Sequence, residues 1–140
     1  MLKKINPILG PEILFVLREM GHGDQIALVD GNYPASAHAN KLIRADGIEL
    51  IPLLDFILDI LPIDNKTDAI VRAINVTKSD GIDPIHKNIE KTCNYYNFKA
   101  VPLDADSFYK RVKNAFAVIA TTERSLYANV ILTKGIILPN

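Results

Sequence analysis

The sequence predicts a single-domain layered α/β fold, and three observations carry that reading. Short runs of Val, Ile, Leu and Ala alternate with segments whose apolar residues recur at helical spacing. The 140 residues suit one domain, and a chain of this size buries roughly 70% of the surface it exposes when unfolded. No internal repeat, linker or low-complexity tract divides it.

The elements follow in order. Residues 11–20 read as a helix: Pro11 suits a first turn, and Ile13, Leu14, Leu17 and Met20 fall on one face. Gly21 is placed to end it at positive φ. Residues 25–30 form an apolar run that stops at Asp30 before Gly31, the pattern of a buried strand feeding a loop over 31–36. Residues 42–47 are extended and close in an Asp-Gly turn. Residues 51–61 make an apolar helix with Pro52 in its first turn and Pro62 beyond its end. Residues 68–77 read as a strand. Asp83-Pro84 then opens a helix to Tyr96 with Ile85, Ile89 and Cys93 as its stripe, and 100–103 is a brief strand. Asp106 is placed to cap a helix through Asn114. Residues 115–121 are a second fully apolar strand. Residues 129–133 and 136–138 are expected to pair as a hairpin around Lys134-Gly135.

Composition excludes several classes. Sixteen basic residues balance sixteen acidic ones, so there is no basic excess to displace counterions from a polyphosphate, and no nucleic-acid partner is expected. Near-zero net charge also lowers one barrier to self-association. The lone Cys93 leaves no intrachain disulfide and no thiolate metal cluster, and fits a reducing compartment. No apolar h-region follows Lys3 and Lys4. The longest apolar stretch, 48–63, carries Glu49, Asp55, Asp59 and two prolines, which suits no bilayer span. The expectation is a cytoplasmic protein without membrane contact.

Chemistry-bearing patterns are few. The histidines, His22, His38 and His86, form no i, i+4 pair and no metal is expected. Nucleotide-binding glycine loops and the G-x-S-x-G elbow are missing too. That leaves acid–base or binding work by side chains. His22 lies between glycines just past a helix end. Either its imidazolium caps the helix C-terminus, or the flanking glycines expose it for function. Asp30 is either a turn former before glycine or a ligand group beyond the carboxyl end of a strand. Tyr127-Ala128-Asn129 offers a phenol and a carboxamide before a strand, able to read hydroxyls or simply to end a loop. Arg44 and Asp46 read as a local turn pair, and Glu123-Arg124 as a solvated pair. A phosphocarrier or response-regulator domain is a further, weaker reading, from chain size, strand-end Asp30, and Thr121 and Lys134 after later strands, but no adjacent acidic pair follows the first strand to hold a receiver's metal.

Several segments together resemble the L-fucose mutarotase and D-ribose pyranase family. They are Pro11-Glu12-Ile13-Leu14, Met20-Gly21-His22-Gly23-Asp24, Asp30 with Tyr33-Pro34-Ala35, and Ile43-Arg44-Ala45-Asp46-Gly47. Phe108-Tyr109-Lys110-Arg111, Ala115-Phe116-Ala117-Val118, Thr122-Glu123, Tyr127-Ala128-Asn129 and Lys134-Gly135 complete a collinear match. Gly-His-Gly-Asp and Ile-Arg-Ala-Asp-Gly favour the fucose branch; Ala128 is closer to the ribose branch. The resemblance implies cofactor-independent interconversion of sugar anomers or ring forms. It implies His22 as the proton-transfer residue, Asp30 as a hydroxyl ligand and possible partner of His22, and Tyr127, Ala128 and Asn129 as the sugar-binding segment. It further implies a homo-oligomer, a decamer of stacked rings with sites between neighbours. The family usually carries a basic sugar-binding residue four positions before the Phe-Tyr tyrosine; here that position is Ala105. Lys110, Arg111 or Arg44 would have to cover the loss, or the substrate differs. Ala105 also motivates the alternative of a sugar-binding or transport-accessory protein without turnover.

Overall fold

A six-stranded sheet is the middle layer of the computed structural model, which describes residues 1–140. β1 (Gln25–Val29), β2 (Leu42–Ala45), β3 (Ile70–Arg72), β4 (Val101–Pro102), β5 (Ala117–Thr121) and β6 (Val130–Thr133) lie in the order β2-β5-β1-β6-β3-β4. β1, β2 and β5 are parallel, as are β3 and β4, and β6 runs antiparallel to β1 and β3. Five strands therefore end at one edge of the sheet, and β6 begins there.

Helices cover both faces, which is why the strands read as continuous apolar runs. Alternate residues feed alternate cores. Ile26, Leu28, Ile119 and Leu132 join a larger core with α1 (Pro11–Glu19), α3 (Leu50–Ile60) and α4 (Pro84–Tyr95). Ala27, Val29, Val118 and Ile131 pack on the other face against Ala35 of α2 (Ala35–His38) and Phe108 and Val112 of α5 (Ala105–Asn114). No helix is long and apolar enough to cross a membrane.

Four local expectations change. The helix α2 occupies part of the segment read as loop, after Pro34. The third strand shortens to Ile70–Arg72, the stretch paired with β4 and β6. Asp104, not Asp106, caps α5, accepting the Ser107 N–H at 3.0 Å. The terminal hairpin does not form. Lys134 instead bridges to Ile63, and Ile136, Ile137 and Leu138 run on exposed.

Candidate functional site

The sequence candidates fall at the two opposite edges of the sheet. Asp30, Tyr127, Ala128 and Asn129 meet where β1 ends and β6 begins. The Asp30 N–H donates to Asn129 Oδ1 at 2.8 Å, and Asp30 Oδ1 accepts the Asn32 N–H at 2.9 Å. Burial lifts the Asp30 carboxyl above its ordinary range, against the pull of hydrogen bonds from Asn32, Ala128, Asn129 and Tyr33. Tyr127 holds a left-handed backbone (φ 57°), uncommon for a residue with a side chain. Its carbonyl accepts a hydrogen bond from His86 Nε2 at 2.9 Å.

His86 was outside the sequence candidates. It is fully buried, and its Nδ1 accepts the Asp83 N–H at 3.0 Å and faces Arg72 Nη1 at 3.3 Å. Arg72, itself buried, reaches Glu90 through Nε at 2.9 Å. Two donors at Nδ1 and a carbonyl at Nε2 define a neutral ring with its hydrogen on Nε2. Burial lowers the His86 pKa in agreement, outweighing the bond to the Tyr127 carbonyl. A buried polar chain from α4 thus holds Tyr127. Glu123 is buried too, correcting its reading as a solvated residue. It accepts the Leu50 N–H at 3.2 Å and the Ser125 N–H at 2.9 Å.

His22 lies before β1, at the far edge. Helix capping is not its role, because Lys134 Nζ donates to the carbonyls of Leu17 (2.7 Å) and Met20 (2.6 Å) at the α1 C-terminus. The helix ends on Met20 in ordinary backbone, and positive φ falls on Gly23 instead of Gly21. His22 Nε2 lies 2.9 Å from Asp64 Oδ2; the imidazole is 60% exposed and the carboxylate 4%. Hydrogen bonds from the Lys66 N–H and from His22 hold the Asp64 carboxyl below its ordinary range, so it is ionised and accepts. In the neutral ring, an accepting carboxylate puts the hydrogen on Nε2 and leaves Nδ1 as the free lone pair.

Asp64 is fixed by the end of β6. Its N–H donates to the Thr133 carbonyl at 3.0 Å, and the Gly135 N–H donates to Pro62 at 2.7 Å. A Cβ on Gly135 would lie 2.6 Å from the Ile63 carbonyl oxygen, so this approach requires glycine.

The expected pairing of His22 with Asp30 is therefore not made within the chain. Five residues of β1 separate their loops, roughly 17 Å of extended backbone. Arg44 also stays apart from Asp30, exposed and bound to Asp46 at 2.8 Å in the local pair its spacing suggested. Arg111 is bound to Asp68 at 2.7 Å.

Comparison with known proteins agrees with this architecture. Residues 3–137 match the RbsD / FucU transport protein family. The chain is similar to the fucose mutarotase of Mus musculus, 41% identical over 143 residues, covering 96% of this chain and 94% of that protein. It is also similar to the L-fucose mutarotase of Histophilus somni, 36% identical over 140 residues and covering 97% of each. The crystal structure of the fucose mutarotase from Streptococcus pneumoniae in complex with L-fucose matches with a TM-score of 0.91 at 41% identity, covering 98% of this chain and all of that one. Matching over nearly its full length in both sequence and fold, the chain belongs to the RbsD / FucU family.

Proposed function

We propose that this protein is a cofactor-independent mutarotase that interconverts the anomers of L-fucose or a related monosaccharide, with His22 as its proton-transfer residue. The observation that carries the reading is an exposed imidazole oriented by a buried, ionised carboxylate. Asp64 holds the ring in one tautomer and stabilises the imidazolium that forms when Nδ1 takes a proton. Ring opening needs little more. The imidazole takes the proton of the anomeric hydroxyl, the bond from C1 to the ring oxygen breaks, and the imidazolium so formed returns the proton to that oxygen. Rotation about C1–C2 and the reverse steps close the other anomer. Positioned acid–base catalysis of this kind is worth roughly 10²–10⁴-fold.

Asp30, Asn129 and the Tyr127 segment suit the recognition of sugar hydroxyls: a buried carboxylate and carboxamide beside a half-buried phenol. A monosaccharide is far shorter than β1, so it cannot touch Asp30 and His22 of one chain. The reading therefore places the complete site between copies, His22 from one and Asp30 with Asn129 from its neighbour, in a homo-oligomer of ring type.

Saturation-transfer NMR on equilibrated L-fucose tests the activity. Catalytic amounts of the protein should speed anomer exchange, and His22→Ala should remove that effect while circular dichroism shows an intact fold. No added exchange for fucose, ribose or other common sugars would refute it. Ala105, with Arg44 and Arg111 each paired to an acid of the same chain, favours a second reading, sugar binding without turnover. Calorimetric binding of fucose without exchange would select that one.

A further inference from the structure

Three aromatic side chains stand at the Asp30 edge with a polar group left over. The Tyr33 hydroxyl meets His38 Nδ1 at 2.9 Å across the short helix α2. The rings of Tyr33, His38 and Tyr109 contact one another, with centroids 5.3 Å (Tyr33–His38), 5.7 Å (Tyr33–Tyr109) and 5.4 Å (His38–Tyr109) apart. This triad adjoins Asp30 directly, since the Tyr33 N–H donates to the Asp30 carbonyl at 3.3 Å. Burial, then the charges of Tyr109 and Asp30, push the Tyr33 phenol well above its ordinary range, so it stays protonated. Burial and nearby Lys113 lower the pKa of His38, which favours the neutral ring.

A protonated phenol beside a neutral imidazole donates to it. Nδ1 is then the acceptor, and the ring hydrogen sits on Nε2. That Nε2 has no hydrogen-bond partner in the chain. No buried side-chain polar atom is left unpartnered, so Nε2 opens to solvent. Tyr109 is 43% exposed beside it. The arrangement is a fixed donor at the rim of an aromatic surface, on the segment that directly follows the buried Asp30. A pyranose offers the complement: apolar C–H faces for the rings and hydroxyls for the polar groups.

We infer that His38 is a substrate-reading residue, its Nε2–H donating to one hydroxyl of the sugar held at Asp30 and Asn129, with Tyr33 fixing the tautomer that makes it a donor. The inference rests on the sugar-site reading above and adds a specificity determinant to it. A site built to bond a hydroxyl discriminates against the analogue that lacks it.

Calorimetric titration with L-fucose and its 2-, 3- and 4-deoxy analogues tests this, using the full-length protein, His38→Phe, His38→Gln, Tyr33→Phe and Asn129→Ala. Phenylalanine keeps the ring packing and removes the donor, whereas glutamine can still donate. His38→Phe should bind L-fucose roughly three- to tenfold more weakly. It should bind one deoxy analogue as the unsubstituted protein does, so that the two losses do not add. His38→Gln should recover part of the affinity, and Tyr33→Phe should show a smaller loss. Unchanged affinities in His38→Phe, or losses that add for every analogue, would overturn the role of His38. Full fucose affinity in Asn129→Ala would instead remove the sugar-site reading on which the inference stands.

Discussion

His22 stands in an exposed bend, yet its ring is fixed by a buried acid. Two interactions produce this. Lys134 takes over the α1 carbonyls, which frees His22 from the helix end, and Asp64 claims Nε2. In the proposed reaction the proton-accepting atom is then Nδ1, and the tautomer depends on residue 64. Asp64→Asn offers an amide N–H where the carboxylate accepted, which favours the opposite tautomer. Anomer exchange in that variant should fall roughly 10²-fold or more, read by saturation transfer, with little change in melting temperature. An unchanged rate would show that Asp64 does not orient the catalytic ring. Part of this was legible in the sequence. Glycines on both sides marked His22, and an acid ending an apolar run marked Asp30. Asp64 carried no such mark: it follows Pro62-Ile63 at the end of a helix and reaches its partner 42 residues back in the chain. His86 was equally silent, because its role depends on Tyr127, 41 residues away.

At the scale of elements, the apolar runs identified the strands well, because each is covered on both faces and needs no alternation. Their partners were less legible. β6 pairs with β1 and β3 and leaves no place for the local hairpin suggested by Lys134-Gly135. That turn instead approaches the 62–64 segment and sets Asp64. α4 illustrates how an element serves the site at a distance. Its inner face sends His86 and Glu90 to Arg72, and His86 carries the Tyr127 carbonyl. His86→Leu would leave the Asp83 N–H, the Tyr127 carbonyl and part of the Arg72 guanidinium without partners. A loss of about 2–4 kcal/mol in unfolding free energy is expected, measured by urea denaturation. A loss below about 0.5 kcal/mol, the scale of an ordinary surface change, would show that the chain of buried polar groups does not anchor Tyr127.

For the whole molecule, the decisive feature is the length of β1 between two groups of candidate residues. His22 with Asp64 sits before the strand; Asp30 with Asn129, Tyr127, Tyr33 and His38 sits after it. Neither group contains both the His22–Asp64 pair proposed for proton transfer and the buried groups proposed to bind hydroxyls. Balanced charge and exposed Phe15, Leu126, Ile137 and Leu138 are compatible with association. A homo-oligomer with head-to-tail contacts would complete one site at each junction. The most direct test is complementation. His22→Ala and Asp30→Asn proteins, each inactive alone, are co-expressed and their mixed assembly is confirmed by native mass spectrometry. Random mixing should restore anomer exchange at about a quarter of the junctions, those that take His22 from one variant and Asp30 from the other. Mixed oligomers that remain as inactive as the separate variants would contradict a site shared between copies.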